Sequence, residues 1–179
     1  LVDFNRAGTP LIEIVTEPDF TSPAEAKDFL QELRLIMRYL GVSDAEMEKA
    51  QLRADANISL RPVGETTLYP KTEIKNLNSF RSVERGLEYE ILRQTKLWQE
   101  KNPPSYSTTR GFDEAKQVTV EQRGKEEAMD YRYFPEPDLP PLHLEELERQ
   151  TSIGELPAAR RARFQKEFGL TSSDAKILT

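Results

Sequence analysis

An α+β fold, an antiparallel sheet with packed helices followed by the start of a small all-α domain, is predicted by three features of this 179-residue chain. Residues 51–61, QLRADANISLR, alternate apolar and polar side chains as a half-buried strand does. Two longer patterns, opening at Ser22 and Ser79, repeat their apolar residues at helical spacing instead. Beyond Pro141 the chain turns to short, charged, helix-prone segments. The expected organisation is therefore a mixed unit over 1–142 and the start of a helical unit over 143–179.

Taken in order, Leu11-Ile12-Glu13-Ile14-Val15 has the composition of a buried strand with a carboxylate at its centre. Ser22 to Gly41 is punctuated as a helix at both ends. Ser22 is the N-cap, Pro23 the first helical residue, Glu25 the partner that completes a capping box, and Gly41 the left-handed stop. Phe29, Leu30, Leu33, Ile36, Met37 and Leu40 make its apolar stripe. In QLRADANISLR, Leu52, Ala54, Ala56, Ile58 and Leu60 share one strand face, and Arg53, Asp55 and Asn57 fall on the other. KTEIKNL after Pro70 is a shorter strand with Lys71, Glu73 and Lys75 on one face, and Gly64 in the connection predicts an antiparallel hairpin. A second helix is expected from about Ser79 to Lys101, with Val83, Leu87, Ile91 and Trp98 on its apolar face, ending before Asn102-Pro103-Pro104. TTRGFDEAKQVTVEQR reads as two short strands around Asp113-Glu114-Ala115-Lys116. DYRYFPEPDLPPL, with four prolines, must be extended and irregular. Further on, Pro157 starts and Gly169 ends a helical segment, and Thr171 with Asp174 resembles another capping box.

Composition narrows the chemistry. With no Cys and a single His, His143, disulfides, thiolate nucleophiles, cysteine zinc sites and Ser-His triads are nearly excluded. A metal held here would be a hard, oxygen-seeking ion such as Mg²⁺. No run approaches the roughly 18 apolar residues of a membrane span, so no membrane partner is expected. No signal peptide is visible, although an excerpt could have lost one, and the location expected is cytoplasmic. A net charge of −6 gives no broad basic surface for nucleic acid, although a local basic patch is compatible with it. The chain begins at Leu1 without Met and ends in TSSDAKILT, which reads as a helix just starting, so an excerpt of a longer protein is expected.

Three predicted strands carry charge on one face: Glu13 beside Leu11 and Val15, Asp55 and Asn57 among Arg53, Ser59 and Arg61, and Glu73 between Lys71 and Lys75. The plain reading is a solvent face of an antiparallel sheet. Glu13 fits that reading least, because its same-face neighbours are aliphatic. If the faces converge, Glu13, Asp55 and Glu73 offer oxygens to Mg²⁺, which usually shares its shell with substrate phosphates. Arg53, Lys71 and Lys75 then suit those phosphates and the charge of phosphoryl transfer. No GxxxxGK or GxGxxG loop is present, so nucleotide binding would rest on the sheet face. Two other clusters have structural readings first. Asp130 to Asp138 is a Pro-braced crossover or the rim of a cleft, and Arg160, Arg161, Arg163 and Lys166 are a solvated helix face or a contact to a phosphate backbone.

The segments VDFNRAGTPLIEIVTEPD, YLGVSDAEME, LRADANISLRP, KTEIKNLNSF, GLEYEILRQ and KEEAMDYRYFPEPDLPP, in this order, closely resemble the B subunits of the aspartyl/glutamyl-tRNA amidotransferases. The resemblance runs from Leu1 to Thr179 and covers only part of the family protein. It implies a catalytic cradle similar to glutamine synthetase, which uses ATP and Mg²⁺ to phosphorylate the side-chain carboxylate of Glu or Asp mischarged on tRNA. Ammonia from an amidase-type glutaminase subunit, in a complex with a small third subunit, then displaces the phosphate. By the same resemblance Glu13 matches a Mg²⁺-binding position, and Asp55 and Glu73 match acidic positions of the nucleotide and metal site. Arg53, Asn57, Lys71 and Lys75 become candidate phosphate contacts, further metal ligands are expected upstream, and this excerpt alone is expected to be inactive. Ala54 stands where many relatives carry Cys, and Leu68-Tyr69-Pro70 stand where they carry small residues. Two readings compete: a non-catalytic tRNA-binding or scaffold module, and a carboxylate-amine ligase acting on a free amino acid.

Overall fold

Local chemistry at Ser22 sets the first helix in the computed structural model, which describes residues 2–5, 8–124, 137–141 and 143–179. Ser22 Oγ accepts from Glu25 N at 3.3 Å, and Glu25 Oε2 accepts from Ser22 N at 3.1 Å, closing the capping box ahead of α1 (Pro23–Tyr39). Thr21 N also donates to Glu25 Oε2, at 2.7 Å, and this bond is the first reason the Glu25 carboxyl sits below its usual range. At the other end the chain leaves through Gly41 at φ +67°, a conformation that favours glycine.

The chain then forms β1 (Ala54–Ile58), β2 (Thr72–Leu77), α2 (Phe80–Gln99), β3 (Thr108–Asp113) and β4 (Val118–Gly124). The sheet order is β1-β2-β3-β4. β1 pairs antiparallel with β2, and β3 with β4, as the turn signals predict. β2 and β3 pair parallel, so the sheet is mixed and not antiparallel throughout. The physical reason is α2: a whole helix intervenes between these strands, carrying the chain back so that β3 starts at the same end as β2.

Alternation on β1 survives intact: Ala54, Ala56 and Ile58 turn inward, while Asp55 and Asn57 are exposed. On β2 it breaks once. Between the pairs Ala56↔Ile74 and Ala54↔Leu77 the second strand holds one extra residue, and Asn76 takes φ +62°. The bulge brings Leu77, 4% exposed, to the same side as Ile74.

Ile74, Leu77, Val83, Leu87 and Phe112 form the core between α2 and the sheet, with Ala26 and Leu30 of α1 packed against it. Side chains of this kind each contribute roughly 1.5–3 kcal/mol when fully buried. Gly86 lets α2 come close, since a Cβ there would lie 3.2 Å from Leu77 Cδ2.

One predicted strand is absent. Leu11 to Val15 has no strand partner among the described residues, and Leu11 and Val15 are 90% and 82% exposed. An apolar run specifies extended backbone, but it becomes a strand only when another strand receives its amides and carbonyls.

After Pro141 come α3 (Glu145–Gln150), α4 (Pro157–Phe168) and α5 (Ser172–Ile177). Pro157 opens α4, Gly169 closes it at φ +64°, and Thr171 Oγ1 accepts from Asp174 N at 3.1 Å to cap α5. α4 and the chain end meet α1 through Arg161 Nη2 to Glu32 Oε1 at 2.5 Å and Tyr39 Oη to the Thr179 carbonyl at 2.7 Å. Residues 130–136 of the DYRYFPEPD motif lie outside the described residues.

Candidate functional site

The sheet face away from α2 gathers most of the predicted site. Asp55 and Lys75 meet across the β1/β2 hairpin, Lys75 Nζ lying 3.4 Å from Asp55 Oδ2. The same ammonium is 3.7 Å from Glu73 Oε1, and Thr109 Oγ1 of β3 donates to Glu73 Oε2 at 3.1 Å. Asn57 is the register partner of Glu73. The face is therefore a mixed-charge strip running from β1 to β3, Asp55–Lys75–Glu73–Thr109. Its members are unequally covered: the Glu73 side chain is 15% exposed, against 46% for Asp55 and 41% for Lys75. The Lys75–Asp55 pair is exposed on both sides, and a pair of this kind adds only about 0–1 kcal/mol to stability.

Gly111 keeps the neighbouring ground filled. It faces Lys75 in register, and a Cβ there would strike the Gln122 side chain and come within 3.0 Å of Asn76 Nδ2. Arg53 and Lys71 precede the first residues of β1 and β2 and are exposed. The carbonyl of Lys71 accepts from Thr108 N at 3.1 Å, which fixes its backbone against β3. The structure thus brings Asp55, Glu73 and Lys75 together, sets Asn57 beside them in register, and leaves Arg53 and Lys71 at the strand entrances. Glu13 is exposed on the unpaired segment and is not joined to the strip.

Among the described residues no group of three or more His, Cys, Asp or Glu side chains is close enough to hold a metal ion. The donor chemistry of Asp55 and Glu73 suits Mg²⁺, which takes one or two carboxylates and completes its shell with phosphate and water. The set is partial, because the Lys75 ammonium lies between the two carboxylates.

Sequence patterns missed the other polar cluster, beneath the sheet. The buried stripe of α2 runs through Val83, Leu87, Glu90 and Gln94, and both polar members are completely buried. Glu90 accepts from Arg93 Nε at 3.0 Å on both oxygens, from Arg93 Nη2 at 2.8 Å, from Gln94 Nε2 at 3.2 Å and from Thr119 Oγ1. Arg110 Nε of β3 lies 3.2 Å from Glu90 Oε1. Burial alone would push the Glu90 carboxyl up. Hydrogen bonds from Arg93, Thr119 and Gln94, with the charge of Arg93, outweigh it and hold the carboxyl below its usual range. A signal was available: positions 83, 87, 90 and 94 are spaced four, three and four apart, which is one helical face.

The arginines of α4 are engaged within the chain. Arg161 pairs with Glu32, Arg163 with Glu155 at 2.7 Å and Glu167 at 3.3 Å, and the Arg160 guanidinium lies over the rings of Tyr39 and Phe164. These contacts favour a structural face over a phosphate-backbone contact.

A family model described as the GatB/GatE catalytic domain matches residues 1–149. The B subunit of the aspartyl/glutamyl-tRNA(Asn/Gln) amidotransferase of Roseiflexus sp. (strain RS-1) is 54% identical to the whole chain, over 37% of its own length. The proteins of the same name from Oleidesulfovibrio alaskensis and Synechocystis sp. are 53% and 50% identical, over 99% and 100% of the chain and 38% and 37% of their own lengths. The chain spans between a third and two fifths of these curated relatives. Among the described residues no helix is long and apolar enough to cross a membrane. The chain belongs to the GatB/GatE catalytic-domain family.

Proposed function

We propose that this chain is part of the catalytic subunit of a tRNA-dependent amidotransferase, and that its open sheet face helps to activate a carboxylate. The substrate is the side chain of Glu, or Asp, mischarged on tRNA; the cosubstrate is ATP. The observation that carries the reading is the strip of Asp55, Lys75, Glu73 and Thr109 in a chain of this family.

A carboxylate resists ammonia because its leaving group would be oxide. A carboxylate oxygen therefore attacks the γ-phosphorus of ATP, an O–P bond forms, and ADP leaves. Ammonia then attacks the acyl carbon, the C–N bond forms, the C–O bond to phosphate breaks, and a proton from nitrogen is lost as phosphate departs. Lys75, Lys71, Arg53 and Asn57 are the proposed phosphate contacts, placing cations and a hydrogen-bond donor where charge spreads during transfer. Glu73 and Asp55 orient Lys75 and offer oxygens toward the nucleotide. Mg²⁺, when bound, would draw charge from the phosphates, with Glu13 as a proposed ligand in the complete protein and others upstream of it. The face would form part of a glutamine-synthetase-like cradle, with residues 143–179 beginning a helical domain. The ammonia would come from an amidase-type glutaminase subunit, in a cytoplasmic complex with a small third subunit.

The test is ATP-dependent formation of Gln-tRNA by the complete complex carrying Glu13→Gln. Activity is expected to fall by about 100-fold with the fold intact. Unchanged activity would remove Glu13 from the metal site.

A further inference from the structure

The two faces of the parallel β2/β3 pair are locked by adjacent residues. Thr72 pairs in register with Thr108, and Glu73 with Thr109. Toward α2, Thr72 Oγ1 and Thr108 Oγ1 share a hydrogen bond at 3.2 Å. On the open face, Thr109 Oγ1 donates to Glu73 at 3.1 Å. A slip of one residue would exchange the faces and send the Glu73 carboxylate toward the core.

What holds the lower lock is the Glu90 node. Arg93 Nη2 and Gln94 Nε2, both bound to Glu90, also donate to Thr72 Oγ1 at 3.4 and 3.3 Å. Thr119 of β4 donates to Glu90, and Arg110 of β3 donates to Thr119 Oγ1 and to the Thr119 carbonyl, both at 2.8 Å. One buried carboxylate therefore ties α2 to three consecutive strands. Apolar residues of the same volume commonly give equal or greater stability than such a buried ionic group, so stability alone does not account for it.

We propose that Glu90 is a positioning residue for the open-face site, fixing the β2/β3 register that sets Glu73 against Thr109. This rests on the proposed function of that face. Glu90 touches no reacting atom; it acts through Thr72 and the strand that carries Glu73.

The experiment is a double-mutant cycle in the complete amidotransferase: wild type, Glu90→Gln, Glu73→Gln and the double variant, assayed for mischarged-tRNA-dependent ADP release. Glu90→Gln is expected to lower kcat by roughly tenfold, as loss of a supporting hydrogen-bond partner does, with KM for mischarged tRNA unchanged. The double variant is expected to be no slower than Glu73→Gln alone, because a misplaced group and a missing group cost the same step once. A merely structural loss would instead multiply with Glu73→Gln. Multiplicative effects, or a wild-type kcat in Glu90→Gln beside an impaired Glu73→Gln, would overturn the positioning role alone. Wild-type activity in Glu73→Gln would overturn the reading of the face, and the proposal with it. Should Glu90→Gln fail to assemble, Thr119→Val removes one donor to the node, and the same cycle with it decides by the same criteria.

Discussion

Glu13 and Glu90 both have aliphatic neighbours in sequence, Ile12 and Ile14 for one and Ile91 for the other, yet their surroundings in space are opposite. Glu13 is exposed on a segment without a strand partner among the described residues. Glu90 is completely buried and surrounded by donors from α2, β3 and β4. A buried ion pair survives only when its remaining hydrogen-bonding capacity is filled, and Glu90 meets that condition. A carboxylate's local company therefore says little about its burial. What decides is whether the fold brings enough donors to it.

Breaking the buried member should have the largest effect. Glu90→Ala leaves Arg93 and Arg110 without their shared counter-charge and should cost about 3–5 kcal/mol, read from urea unfolding. The same contrast extends to pH. With its folded pKa lowered, Glu90 contributes stability that is present above the unfolded value, near 4.5, and is lost as pH falls through the lower folded value. Unfolding free energies measured from pH 6 down to about pH 3 should therefore fall more steeply for wild type than for Glu90→Gln; parallel curves would contradict the ionised, hydrogen-bonded Glu90. A smaller effect is expected at Ser22, where Ala removes the cap of α1 and should cost about 1 kcal/mol, seen as a lower midpoint in thermal unfolding. The smallest belongs to Glu13: Glu13→Gln should leave the melting temperature unchanged, because the side chain is exposed. A substantial drop would show that the segment is packed after all.

Much of the scaffold was legible because its signals are local. The Ser22–Glu25 box, Gly41, Pro157 and Gly169 act within a few residues of themselves, and α1 and α4 start and stop where those residues say. The outward placement of Asp55 and Asn57 followed from strand alternation, and Lys75 with Glu73 from the same rule one strand on. The parallel β2/β3 pairing was not legible from alternation, which is blind to strand direction. The expected strand at Leu11–Val15 failed because an apolar run does not contain its own pairing partner. Glu90 and Gln94 went unnoticed because polar residues on a helix normally mark its solvent face, and here three strands supply their partners. On the open sheet face the outward placement of Asp55, Glu73 and Lys75 was readable, and the distances between them were not.

Everything proposed for the open face turns on Glu73, its most enclosed carboxylate, taking part in activation of the substrate. The most direct test is mischarged-tRNA-dependent ADP release by the complete complex carrying Glu73→Gln, beside its melting temperature. A fall of about 100-fold in rate is expected, with an unchanged melting temperature. A wild-type rate in the well-folded variant would contradict it.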